Sequence, residues 1–363
     1  MKVLFLAPHL STGGMPAFLL KRIEALLGFT DVEVFVVEWK MYSPTFIVQR
    51  SKIQELVGKN FISFSGNKEL QKGIIDYCYT KQIDIIHIEE IPEGFDSFNP
   101  FDPKLQKELY NPIHPWKIIE TPHGMAFQPD TNKLYDPDAY ACVSPHHINV
   151  TFKNRPSIKK LITYPIDPFI QSLEDRDKIL EHWGYLTKGE FHIINIGLWT
   201  EGKNQRYAID IAKKLYEKYG FTYIFHFLGN QAPNFQNYWK PLMESLPPNI
   251  KIWGERDDID KFFKIADTML FTSTWECNPI VLKEAISNNV KIMAYNLDHY
   301  GDEYLPFINP LSGNIESDYL NLINTIHSPI KYKIKNYSNN VEQFALKTLK
   351  LYQNVLINGN RGK

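Results

Sequence analysis

Short, uninterrupted apolar runs recur along this chain, and each gives way to a loop and then to a stretch with helical spacing. Val3–Leu6, Val32–Val37, Phe61–Phe64, Ile83–Ile88, Lys117–Ile119 and Ala141–Val143 fall in the first half. His192–Ile196, Tyr223–Phe227, Ile250–Trp253, Thr268–Phe271 and Lys291–Ala294 fall in the second. A strand with one wet face alternates apolar and polar residues. These runs do not alternate, so the sheets they build must be covered on both faces, as parallel strands with helical crossovers are. Helical period is clearest over Met15–Leu27, Lys203–Tyr219 and Pro279–Asn288. The tail 339–357 is also helical in period, with Val341, Phe344, Ala345, Leu349, Tyr352 and Leu356 on one side.

A chain of 363 residues is long enough for two domains of ordinary size. The break falls in Thr163–Ser172, where Pro165 and Pro168 stiffen a connector before the strand–helix series starts afresh. The expected fold class is therefore α/β, with two doubly wound, Rossmann-like domains facing a crevice, over 1–165 and 166–338. The net charge of −1, with Lys and Arg spread evenly, gives no support to a nucleic-acid partner. The three cysteines, Cys78, Cys142 and Cys277, are widely spaced and form no Cys-x-x-Cys pair, which fits a reducing cytoplasm. The N-terminal apolar run is too short for a signal segment. No run reaches the ~18 residues of a membrane span, so any membrane contact is expected to be peripheral.

Ligands of open parallel sheets sit beyond the carboxyl ends of the strands. After the first strand, Gly13 and Gly14 precede a helix, where backbone N–H groups can approach a phosphate; a plain tight turn explains them equally well. His123 precedes a glycine at another strand end, and a lone histidine is more often structural. Gly197 and Lys203 follow the strand His192–Ile196. A lysine at a helix start opposes the helix dipole, and an anion bound there would account for it, although a solvated lysine is the commoner case. Glu276 lies in the loop after Thr268–Phe271. Asn278 is placed to cap the next helix and Pro279 to open it, which puts Glu284 about a turn and a half inside. Carboxylates are natural acceptors for sugar and ribose hydroxyls, but two surface glutamates would read the same way.

Taken together, the Gly-Gly loop, the His-Gly loop, Gly-x5-Lys and Glu-x7-Glu resemble the retaining nucleotide-sugar glycosyltransferases of family 4, which have the GT-B fold. The likeness is most specific over "IKIWGERDDIDKFFKIADTMLFTSTWECNPIVLKEAISNNVKIMAY". It implies a first domain for a saccharide or glycoconjugate acceptor, a second for a nucleotide-diphosphate sugar of UDP or GDP type, and a C-terminal helix crossing back onto the first. It implies that Glu276 contacts the donor sugar and that Glu284 binds the ribose. Lys203 would neutralise the diphosphate and His123 would stand at the reacting centre. Gly13 and Gly14 would line the cleft, Trp253–Glu255 would pass the base, and Asn278, Pro279 and Ile280 would approach the phosphate. Leu198 stands where the family usually has Arg, and Arg206, three residues after Lys203, is the candidate to replace that cation. Gly301 and Glu303 correspond only loosely to a further family motif. No Asp-x-Asp metal motif is seen in the sequence and no cofactor is called for, so metal-free transfer is expected. Aromatic residues of the first domain, Trp39, Tyr42, Phe46, Phe95, Phe98, Phe101 and Trp116, are read mostly as core. The alternatives are a nucleotide-sugar epimerase, a catalytically silent sugar or nucleotide binder, and a nicotinamide oxidoreductase, which would want Gly-x-Gly-x-x-Gly after a strand.

Overall fold

The computed structural model of the chain describes residues 1–40, 49–64, 73–93, 101–124, 128–165, 172, 174–300, 304–330 and 340–359. Tyr42, Phe46, Phe95, Phe98, Gly301, Glu303 and most of the 163–172 connector lie outside them. The chain divides into two compact units, Met1–Pro165 with Ser338–Lys363, and Ile166–Tyr337.

The first unit runs β1 (Lys2–Ala7), α1 (Gly14–Phe29), β2 (Glu33–Glu38), α2 (Arg50–Val57), β3 (Phe61–Ser63), α3 (Ile74–Lys81), β4 (Ile85–Glu89), α4 (Pro103–Leu109), β5 (Lys117–Thr121), α5 (Pro129–Asn132), β6 (Ala139–Cys142) and β7 (Ile158–Leu161). The second runs α6 (Arg176–His182), β8 (Phe191–Ile196), α7 (Gln205–Tyr219), β9 (Tyr223–Leu228), α8 (Gln236–Leu242), β10 (Ile250–Gly254), α9 (Ile259–Ile265), β11 (Thr268–Phe271), α10 (Ile280–Ser287), β12 (Lys291–Ala294), β13 (Ile308–Pro310) and α11 (Ile315–His327). The last helix, α12 (Val341–Asn358), belongs to the first unit.

Both sheets are parallel throughout. Their strand orders are β3-β2-β1-β4-β5-β6-β7 and β10-β9-β8-β11-β12-β13. In each, the order reverses beside the unit's first strand, between β1 and β4 and between β8 and β11. Connections leaving those neighbours run to opposite faces, so each sheet has an open notch at its carboxyl edge there. The fold class expected from the sequence, two doubly wound α/β domains, is the one observed.

The strands are buried on both faces because helices cover both. β1 keeps Val3 to Ala7 at zero exposure, and β4 does the same for Ile85, Ile86 and Ile88. Helix α1 turns Phe18, Leu19, Arg22, Ile23 and Leu26 inward at helical spacing, with Pro16 in the first turn, where no backbone donor is required. α12 lies on α1, with the Phe18 and Phe344 rings edge to face at 5.5 Å. The residues it buries are Phe344, Ala345, Thr348, Leu351, Tyr352 and Val355. The stripe expected from period thus shifts: Leu356 is exposed and Leu351 takes its place. Trp39, Phe101 and Trp116 are core residues, as read. No helix among the described residues is long and apolar enough to cross a membrane.

Candidate functional site

In the second unit the notch between β8 and β11 collects two loops. The loop after β8 is shaped by close backbone contact. Gly229, at the end of β9, has φ 131°, and a Cβ there would stand 2.0 Å from the Gly197 carbonyl oxygen. Only glycine lets the two strand ends meet. Thr200 then accepts from the Lys203 backbone N–H, and the Gln205 amide donates to the Leu198 carbonyl at 3.0 Å. The Lys203 side chain lies across Gly197, 3.4 Å from the position of a Cβ there.

The loop after β11 is laced to this turn. Thr272 Oγ1 donates to the Lys203 carbonyl at 3.0 Å, and the Thr274 N–H donates to the Gly202 carbonyl at 2.9 Å. These bonds bring Lys203 Nζ onto the Glu276 carboxylate, with Phe271 below the ammonium. Lys203 and Glu276, separated by 73 positions in sequence, therefore form one ion pair at the switch point. Glu284 is half-buried in the second turn of α10.

Three local expectations change. Lys203 does not open the helix: it closes a 3-10 turn, Asn204 follows at φ 52°, and α7 begins at Gln205. The anion its position called for is, in this structure, the Glu276 carboxylate. Because Asn204 breaks the helix, the spacing that set Arg206 on the face of Lys203 does not apply. Arg206 is exposed, its backbone N–H bonds to the Tyr238 hydroxyl at 3.2 Å, and its charge acts on Asp210 one turn on. Finally, Asn278 does not cap α10; Pro279 is the cap residue and Ile280 the first helical one.

Trp253 is the next-to-last residue of β10, its ring against Trp183 and Phe262, and its Nε1–H donates to His226 Nδ1 at 2.9 Å. Glu255 follows, half-buried, and the Arg256 guanidinium lies 5.6 Å over the Trp253 ring, held by Asp258. The Asp-x-Asp spacing does occur, at 136–138, 175–177 and 258–260. Each has at least one member engaged elsewhere: Asp136 pairs with Arg155, Asp138 holds the Ile118 N–H, Asp175 caps α6 and Asp258 pairs with Arg256.

In the first unit, Gly13 caps α1 at φ 115°, and both Gly13 and Gly14 are exposed. The loop leading to them is fixed by Glu38, which accepts from the Leu10 N–H at 2.8 Å and pairs with Arg50. His123 stands two residues beyond β5. Its Nε2 is 2.8 Å from Glu89, the last residue of β4, and Phe18 meets the ring edge-on.

Behind His123 lies a buried polar network absent from the sequence reading. Arg22, His87 and Glu89 have zero exposure. Arg22 Nη1 donates to Glu89 and to Thr121 Oγ1 at 3.0 Å, and lies 3.1 Å from His87 Nε2. His87 Nε2 also lies 2.7 Å from Thr121 Oγ1, and its Nδ1 faces the Tyr352 hydroxyl at 2.8 Å. Burial and Arg22 hold the His87 imidazole well below its usual range, so it is neutral. Burial alone would push the Glu89 carboxyl up; Arg22 and the bond from His123 overcome that and hold it at about 2. The next residue, Glu90, has φ 94°, and desolvation raises its half-buried carboxyl even though the His123 backbone N–H points to it. Two ionisable residues inside an otherwise apolar strand, His87 and Glu89, were the available signal, since buried charge demands partners. A second buried cluster lies under β5. There Glu120 takes bonds from Tyr110 and Lys133, while Lys133 also pairs with Glu93. Burial raises the Glu120 carboxyl to about 7 against the pull of Lys133.

The family described as glycosyl transferases group 1 matches residues 178–305, which fall in the second unit and include Lys203, Glu276 and Glu284. An uncharacterized glycosyltransferase of Methanocaldococcus jannaschii is 29% identical over 147 residues, 39% of this chain and 35% of that protein's length. Among solved structures, a glycosyltransferase from Rickettsia africae ESF-5 superposes with a TM-score of 0.71 at 15% identity, covering 98% of this chain and 99% of that one. HepE of Anabaena, crystallised with UDP, gives 0.71 at 15% identity over 97% and 100%. The chain has the two-domain α/β fold of these proteins, and its second unit carries a group 1 glycosyltransferase match.

Proposed function

We propose that the protein transfers a sugar from a nucleoside-diphosphate sugar to a hydroxyl of a saccharide or glycoconjugate, retaining anomeric configuration, as a family 4 enzyme of the cytoplasm. The observation that carries this is the Lys203–Glu276 pair at the β8/β11 notch, inside the segment that matches group 1 glycosyltransferases. HepE supports a nucleotide-sugar donor, since it has been crystallised with UDP-glucose.

In this reading the second unit holds the donor. Lys203 stabilises the charge that develops on the leaving diphosphate, with help from the backbone N–H groups of Asn278 and Ile280; Pro279 has none. Glu276 accepts hydroxyls of the transferred hexosyl group and Glu284 accepts those of the ribose. The backbone of Trp253–Glu255 lies along the base. A lysine and helix-end dipoles supply the positive field a metal would otherwise supply, so transfer proceeds without one. The first unit takes the acceptor, with His123 at the reacting centre and Gly13–Gly14 at the open end of α1.

The direct test is a thermal-shift screen of UDP- and GDP-sugars followed by turnover assays. A ligand at 100 times its Kd adds about 2.7 kcal/mol of stability. No shift with any nucleotide or nucleotide sugar would overturn the reading. Binding without transfer would make the protein a silent binder. Loss of activity with chelator, or an inverted product by NMR, would remove metal-free retention.

A further inference from the structure

We propose that Glu89 is a positioning residue for the transfer: it fixes His123 as the Nε2–H tautomer, so that the ring offers Nδ1 as a hydrogen-bond acceptor to a sugar hydroxyl. The inference rests on the function proposed above for its ligand, and on the hydrogen bond to an ionised Glu89 for its tautomer.

Glu89 ends β4 and His123 lies just past β5, its neighbour in the sheet, so adjacent strand ends deliver the two side chains to one place. The Nε2···Oε2 distance of 2.8 Å is a hydrogen bond. An ionised carboxylate can only accept, so Nε2 must carry the proton whenever Glu89 is charged. Arg22 keeps it charged. The guanidinium donates to the other carboxylate oxygen, Oε1, and is itself held by Thr121 and by His87, whose far nitrogen reaches Tyr352 on α12. The Glu89 carboxyl therefore stays ionised throughout the working pH range. With Nε2 committed to Glu89, the neutral ring has one lone pair left, on Nδ1. The ring plane is fixed as well, by the edge contact to Phe18 at 5.3 Å. Through this chain, a helix from the last part of the sequence and a helix from the first hold one imidazole in one orientation. Such a fixed ring suits a hydroxyl, which donates to the nitrogen, and not an anion, which cannot.

The tautomer can be read without a variant. In protein labelled with 15N-histidine, the His123 signal, assigned by its loss in H123Q, should show a protonated Nε2 and a pyridine-type Nδ1 in the neutral form of the ring. A protonated Nδ1 in the neutral ring of the wild-type protein overturns the proposal. Glu89→Gln should release the preference, because an amide can also donate; an unchanged His123 signal there would remove Glu89 as its cause. If E89Q does not fold, the wild-type spectrum alone decides the tautomer. For the reaction, Glu89→Asp withdraws the carboxylate by one methylene. Displacements of that size at a reacting group cost up to about a hundredfold in rate, so kcat should fall by that order while donor KM holds. A fall confined to donor KM would refute the positioning role. Wild-type protein that neither binds nor turns over nucleotide sugars sinks the proposed function, but leaves the tautomer result to stand or fall separately.

Discussion

The ion pair between Lys203 and Glu276 makes a prediction whose sign is unusual for a binding-site carboxylate. A diphosphate that takes Lys203 must share it with Glu276 or displace it. A hydrogen bond to a charged group is worth about 1.5–3 kcal/mol, while a fully exposed pair contributes about 0–1 kcal/mol. Lys203 is 29% exposed and Glu276 10%, which places the pair between these limits, at roughly 1–2 kcal/mol. Glu276→Gln keeps the shape and an acceptor oxygen but removes the negative charge. A nucleoside diphosphate should then bind more tightly, by about five- to thirty-fold. The full nucleotide sugar should gain less or lose, since its hydroxyls meet a neutral amide in place of a carboxylate. Titration calorimetry with UDP, GDP and their glucose conjugates measures both arms. The diphosphate gain should shrink at higher salt, because partly exposed charges are screened in part. If E276Q binds the free diphosphates no better than the wild type, Lys203 is not held in reserve by Glu276 and the account of this notch is wrong.

Glu284→Ala should weaken nucleotide binding by about ten- to a hundred-fold through loss of a charged acceptor, and unchanged UDP affinity would remove Glu284 from the ribose. Gly229→Ala forces a Cβ onto the Gly197 carbonyl at φ 131°; the protein should lose more than about 3 kcal/mol by urea denaturation, and a near-neutral result would contradict the close approach. Glu120 titrates near 7 in the fold against about 4.5 for the free side chain. A raised carboxyl pKa means the folded state binds the proton more tightly, so its stabilisation is complete below about pH 4.5 and fades as pH rises through 7. The stability of the wild type relative to Glu120→Gln should therefore decline between pH 5 and pH 8, by on the order of 3 kcal/mol at most, and a difference independent of pH would refute the assignment. Arg206→Ala should leave diphosphate affinity essentially unchanged, since its side chain is exposed beside Asp210; a tenfold loss would restore it as a second cation.

The strands were legible because parallel sheets bury both faces, and Thr268–Phe271 and Lys291–Ala294 coincide with the runs seen in the sequence. The two strands that escaped notice are edges. β7 reads Ile-Lys-Lys-Leu and is partly exposed, and β13 ends in Pro310, which an edge alone tolerates. α7 starts two residues later than its period suggests because Asn204 adopts a left-handed conformation, which asparagine permits but its presence alone does not fix. The spacing of Glu276 and Glu284 was visible, but the partner of Glu276 was not: contact between positions 203 and 276 is a product of topology. The Glu89 network was missed for a related reason. Its members come from β4, α1, β5 and α12, and no local pattern links them.

The membership of α12 in the first unit bears on how the chain is made. The 172 residues from Ile166 to Tyr337 are synthesised between the first sheet and the helix that completes it. At about 5–20 residues per second, the nascent first unit waits roughly 10–35 seconds for Phe344 and Tyr352. During that interval the α1 face carrying Phe18 and Arg22 has no α12 to cover it, and His87 Nδ1 lacks the Tyr352 hydroxyl. Completion of the His123 support is thus a late event in biosynthesis. A nascent chain stalled anywhere before the final helix presents an apolar, charged face that a chaperone or protease can recognise.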